Sequence, residues 1–135
     1  GVFIKGFNSE SDYDGEKRIN TIYTVSLEGM DICFLGALNT TELPKEADEA
    51  IDEVDILFVP IGGDGVLDPD KAYKLAVSIG PKIIIPVNYG DIGDKDALKK
   101  FLKEAGENPK PEAKLTLKKK DLEGKEADVV ILEKE

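Results

Sequence analysis

Lys82-Ile83-Ile84-Ile85-Pro86-Val87-Asn88-Tyr89 is an apolar run, rich in β-branched residues, that ends on an amide and a phenol. Such a run reads as a strand buried on both faces, because a strand with one face in water alternates apolar with polar residues. Asp55-Ile56-Leu57-Phe58-Val59-Pro60 has the same character. Between the two, Asp68-Pro69 marks a helix start, with a capping carboxylate and a proline at the first helical position. Ala72, Leu75, Ala76 and Ile79 then share one helical face, and Gly80-Pro81 stops the helix. Strand, helix and parallel strand in this order make a right-handed crossover. In an open α/β sheet, ligands and catalytic side chains gather beyond the carboxyl ends of the strands, so Asn88 is where chemistry is expected.

Outward from this unit the pattern changes. Val2 to Asn8 has strand composition, and Ser9 to Arg18 reads as a polar loop. Thr21-Ile22-Tyr23-Thr24-Val25 and Ile32-Cys33-Phe34-Leu35 flank Glu28-Gly29-Met30-Asp31 as a hairpin. Ala37 to Glu42 is a loop leading to Pro44, after which Ala47, Ala50, Ile51 and Val54 recur on one face of a first helix. Gly62-Gly63-Asp64-Gly65 is a loop after the second apolar strand. Asp94 begins a third helix, with Ala97, Leu98, Phe101, Leu102 and Ala105 inward and Gly106 and Pro109 at its end. Lys114 to Lys118 and Asp128 to Leu132 are two short strands. The expected fold class is α/β: one domain over residues 1–135, a mixed sheet with helices on one face. The strands at 56–59 and 83–87 also need their second face buried, and three short helices cannot supply both covers. Another protein layer is expected there.

Composition narrows the function. The 135 residues suffice for one domain with a real core, and no apolar stretch approaches the length of a membrane span. A formal net charge of -10 argues against nucleic acid as a partner, since binding there depends on cationic side chains displacing counterions from phosphates. Lys118-Lys119-Lys120 reads as a solvated strand end. Cys33 is the sole cysteine, so no intrachain disulfide forms and a reducing cytoplasm is expected; between Ile32 and Phe34 it reads as a buried, inert thiol. The chain holds no histidine, which removes every Ser/His/Asp or Cys/His triad and every histidine-containing zinc site. It opens on Gly1 and enters a strand almost at once, which leaves a fragment or a processed chain open.

Three motifs have ordinary readings. Glu10-Ser11-Asp12-Tyr13-Asp14-Gly15 partly fits a calcium loop, but the glutamate required at the twelfth position falls on Thr21, so a solvated acidic loop is expected. Gly62-Gly63-Asp64-Gly65 lacks the endings of phosphate-binding loops and reads as a tight turn. Asp12, Asp14, Asp64, Asp91 and Asp94 all fall in loops, so paired acid-base carboxylates stay open.

Lys5-Gly6-Phe7-Asn8-Ser9 with Ser11-Asp12, Asn20-Thr21-Ile22-Tyr23, Glu28-Gly29-Met30, Phe34-Leu35-Gly36-Ala37-Leu38, Pro60-Ile61-Gly62-Gly63 and Pro81 to Tyr89 follow in an order and spacing that resembles the carboxyl-terminal half of the metallo-β-lactamase fold. The nearest branch is that of metal-dependent hydrolases similar to ascorbate-6-phosphate lactonase. The resemblance runs from Val2 to about Leu132. It implies half of a four-layer α/β/β/α sandwich, with metals at one rim between the sheets, and so supplies the missing cover. It also implies metal ligands that this chain lacks. The family's His-x-His-x-Asp-His motif has no counterpart. Its histidine before an aspartate is Ser11 before Asp12, the aspartate of its His-Leu-Gly-Asp is Ala37, and the histidine of its Pro-x-His-Tyr is Asn88. Serine, alanine and asparagine do not replace imidazole and carboxylate around zinc. The expectation is therefore a non-catalytic half domain with no cofactor and vestigial metal-site positions at Ser11, Asp12, Ala37 and Asn88. Its open face would be closed by homodimerisation or by a complementary amino-terminal half. The alternative is a hydrolase, with metals held by an absent amino-terminal half or with an acid site of Asp12, Asp64 and Asp91.

Overall fold

The computed structural model describes residues 2–11, 18–63, 65–87, 89, 95–113 and 119–132. The expected meander comes first: β1 (Val2–Ser11), β2 (Arg18–Leu27) and β3 (Met30–Phe34) pair antiparallel. Glu28 and Gly29, both at positive φ (52° and 77°), make the two-residue turn between β2 and β3. That turn matches the right-handed twist of the strands it joins. Helix α1 (Lys45–Ala50), β4 (Ile56–Pro60), α2 (Pro69–Ile79), β5 (Ile83–Val87), α3 (Ala97–Ala105) and β6 (Asp128–Val129) follow. The six strands form one sheet in sequence order, parallel from β3 to β6.

Several boundaries differ from the sequence reading. The polar loop at 9–18 is narrower, because Ser9 to Ser11 pair with Arg18 to Asn20 in unbroken register. Strand pairing beyond a buried hairpin continues as long as the backbone partners align, whatever the side-chain polarity. Helix α1 ends at Ala50, which is exposed, and Val54 reaches the core from the following loop. The strand at 128–132 shortens to two residues plus one isolated parallel bridge, Leu132 to Glu112. Asp94 and the strand at 114–118 lie outside the described residues. Asp68 occupies the N-cap of α2, with Pro69 following, but its carboxylate makes no cap hydrogen bond.

Directly paired residues point to the same side of a sheet, so the register defines its two faces. One face carries Phe7, Ile22, Cys33, Leu57, Val59 and Ile84 against Ala72, Leu75 and Ala76 of α2 and Ala97 and Phe101 of α3. Phe101 is fully buried and meets Tyr73 edge-on at 5.7 Å between centroids. Gly80 and Gly106 close α2 and α3 in the left-handed conformation, at φ 74° and 69°. The other face carries Gly6, Tyr23, Phe34, Phe58 and Ile85 in one row across five strands. The chain itself covers part of this second face. Leu122, in a 3₁₀ turn at Lys119–Leu122, is fully buried in a second core with Met30, Ile56, Ile83 and Ile85. The part left open belongs to the meander. Val2, Ile4, Ile19 and Tyr23 on this face are 54, 64, 79 and 46% exposed.

Candidate functional site at the carboxyl rim of the sheet

Strands β3, β4 and β5 run parallel, so their carboxyl ends at Phe34, Pro60 and Val87 share one rim. The β1–β2 hairpin overhangs that rim. Pairing of β2 with β3 stops at Tyr23 and Phe34, while β2 begins at Arg18. The overhang of Arg18 to Ile22 reaches roughly 16 Å past β3 at the usual rise of a strand. The overhanging strand ends at Ser9–Ser11 and Arg18–Asn20, the turn after β3, the loop after β4 and Tyr89 after β5 thus surround the place where ligands of open α/β sheets sit.

The turn after β3 is held by a buried amide. Asn20 is 9% exposed, and its Nδ2 donates to Leu35 O at 2.8 Å and to Ser9 Oγ at 3.0 Å. Its Oδ1 accepts from Ala37 N at 2.9 Å. Gly36, at φ 67°, lies against the same carboxamide, and a Cβ there would fall 2.4 Å from Asn20 Oδ1. The next loop is tied to this turn: Leu67 N donates to Leu38 O, and Gly63 N to Leu67 O, each at 3.0 Å. Gly62 and Gly63 are buried, Gly63 at φ 70°, and Asp64 of the glycine loop lies outside the described residues. Oδ1 of Asp68 lies 2.9 Å from where a Gly63 Cβ would be.

Two groups have shifted acidity. Burial pushes the Cys33 thiol from 9.0 up to about 12, which keeps it protonated and unreactive in the neutral range. Burial also raises the Tyr89 phenol above its ordinary value, so it stays a hydrogen-bond donor at the rim.

Of the four positions singled out from the sequence, Ser11 ends β1 in register with Arg18, near the hairpin tip. Ala37 stands in the Asn20-held turn. Both belong to the rim. Asp12 and Asn88 lie outside the described residues, as do Asp64 and Asp91. The flanks of the acidic loop at 12–17 are paired strands, so the helix pair of a calcium-binding hand is absent there. Among the described residues, no three His, Cys, Asp or Glu side chains group closely enough to hold a metal ion, and no helix is long and apolar enough to cross a membrane. Asn20 was not singled out from the sequence. It stands in the sequence only as the first residue of the Asn20-Thr21-Ile22-Tyr23 motif, just before the expected strand, and the structure places it inside β2.

Residues 1–88 match the family model described as beta-lactamase superfamily domain. The chain is similar to an inferred Zn-dependent hydrolase of the metallo-β-lactamase superfamily from Thermotoga maritima, with a TM-score of 0.69 and 30% identity over 98% of this chain and 65% of that one. A metallo hydrolase from the archaeon Ignicoccus hospitalis superposes with a TM-score of 0.61 at 20% identity, over 98% of this chain and 50% of that one. A metallo-β-lactamase fold protein from Bacillus subtilis gives 0.60 at 12% identity, over 96% and 46%. The last two speak for the fold alone. The chain spans less than two thirds of the length of each of these neighbours.

Proposed function

Because this chain belongs to the beta-lactamase superfamily domain family, we propose that it is a metal-free, non-catalytic half of that fold whose open sheet face is completed by a second protein layer. The observation that carries the reading is the chemistry of that face. From Val2 to Asn8 on β1 and Thr21 to Leu27 on β2, the residues on the open side are apolar, glycine or uncharged polar, with Glu10, paired to Ile19, beyond this stretch towards the hairpin end. A third of the chain is charged, so a solvated stretch of this size without a charge is not what composition alone supplies. A second copy of the chain supplies the layer. An isologous contact is the commonest oligomer geometry, and through this uncharged stretch two chains of net charge -10 approach with less repulsion than through a charged surface.

The metal-free part of the reading rests on donor chemistry. The turn that presents position 37 carries a methyl group there, and its backbone N–H is already committed to Asn20. No histidine exists anywhere in the chain. A zinc site needs about four good donors or three and an open position for water, and these residues do not fit it. The lone cysteine, buried and unreactive, is in keeping with a reducing cytoplasm.

Sedimentation velocity at micromolar concentration tests the homodimer: a dimer is expected, and Ile4→Lys or Tyr23→Lys should shift it to monomer. A monomer that also fails to bind a hydrophobic dye would sink both the dimer and the open-face reading. The neighbours' greater length favours a second reading, in which a complementary amino-terminal half supplies the layer together with metal ligands. Metal analysis of the purified chain and a panel of phosphodiester and lactone substrates separate the two. Stoichiometric zinc or manganese, or turnover abolished by Asp12→Ala, would favour the hydrolase.

A further inference from the structure

We infer that Asn20 is the positioning residue of the rim: its carboxamide extends the sheet past the last β2–β3 backbone pair and holds position 37 in place with no metal. This deepens the metal-free reading and rests on it. Extending the β2–β3 register beyond Tyr23 and Phe34 brings Asn20 opposite Ala37. The Asn20 backbone is already paired there with Ser9 of β1, as the β1–β2 register runs on to Ser11 and Arg18. On the β3 side, Leu35 N bonds Phe58 O at 3.1 Å, which leaves Leu35 O and Ala37 N as the next acceptor and donor at the strand end. A carboxamide carries one acceptor and one donor group side by side, as a peptide edge does. Asn20 presents both, taking Leu35 O on Nδ2 and Ala37 N on Oδ1.

The fit is specific in chemistry and in space. Aspartate keeps the acceptor and loses the donors, while serine is too short to bridge both groups. Gly36 completes the lock, since a Cβ at 2.4 Å from Oδ1 would push the carboxamide off the turn. Ser9 Oγ, 3.0 Å from Nδ2, takes the remaining donor and ties the clamp to β1. Three strand ends are thereby joined through one side chain. In a metal centre the bound ion draws such strand ends together; here a buried amide does so.

Amide hydrogen exchange tests this, read at Ala37 against Leu35, whose N–H bonds the β4 backbone and not Asn20. In Asn20→Ala the Ala37 amide should exchange about tenfold faster or more relative to Leu35, the loss expected when one buried hydrogen bond goes. In Asn20→Asp at pH 7 the acceptor remains, so Ala37 should stay protected even though the fold is weakened. Where Asn20→Ala does not fold, Asn20→Ser serves, with the same expectation. A purely structural role predicts equal acceleration at both amides in every variant, and that result would overturn the assignment. Metal found in the wild-type chain would sink the metal-free reading without altering this comparison, so the two failures are distinguishable.

Discussion

At the scale of single residues, Gly36 and Cys33 carry the clearest consequences. Gly36 combines a left-handed φ of 67° with a contact that leaves no room for Cβ, so two separate penalties oppose any side chain there. Gly36→Ala should cost about 2 kcal/mol or more, measurable as a lower urea midpoint at unchanged slope. A neutral Gly36→Ala would mean that Asn20 swings away freely. For Cys33 the sign follows from its folded value lying above its unfolded one. The stability due to the protonated buried thiol is fully present below about pH 9. It is lost as pH rises from there towards the folded value of about 12. Unfolding curves from pH 8 to 10.5 should therefore show falling stability, and Cys33→Ala should flatten part of that fall. Thiol reagents at pH 8 should label Cys33 only as fast as the protein opens.

At the scale of elements, the carboxyl-terminal segment acts as a partial lid. Leu122 is fully buried against Ile83 and Ile85, although it comes from a four-residue turn with no helical stripe to announce it. Leu122→Ala should cost ~2–5 kcal/mol and expose the central strands, seen as increased binding of a hydrophobic dye. Dye binding unchanged by Leu122→Ala would mean that another segment covers those strands. The start of β4 and β5 is latched by Asp55, which accepts from Asp31 N at 2.7 Å and lies 3.4 Å from Lys82 Nζ, while Asp55 O takes Lys82 N and Ile83 N. At the seam between lid and open face, Phe34 and Phe58 stack at 4.5 Å between centroids, both half-buried.

At the scale of the whole molecule, charge and the open face oppose each other. Two chains of net charge -10 repel, and the repulsion is screened over ~8 Å at physiological ionic strength against ~30 Å at 0.01 M. Self-association through the meander should thus strengthen as salt is raised, with sedimentation showing more dimer at 0.15 M than at 0.01 M. A dimer weakened by salt would point to an interface of ion pairs rather than the uncharged stretch. The proposed second layer would cover the part of this face that the chain leaves open, in keeping with its spanning 65% and 50% of the length of two longer neighbours.

What could be read from residues alone was whatever has a local cause. The two apolar runs at 56–60 and 83–87, the proline and glycines bounding α2 and the glutamate-glycine turn each state their conformation within a few residues, because backbone sterics and burial on both faces act locally. Tertiary structure decided the rest. Only pairing across strands carries the hairpin through Ser11 and Arg18, as ladder hydrogen bonds do not depend on side-chain polarity. Only packing turns Leu122 into a cover for strands some forty residues earlier in the chain. Asn20 becomes a clamp only when β3 ends beside it, since a carboxamide has no role until a donor and an acceptor lie within its reach.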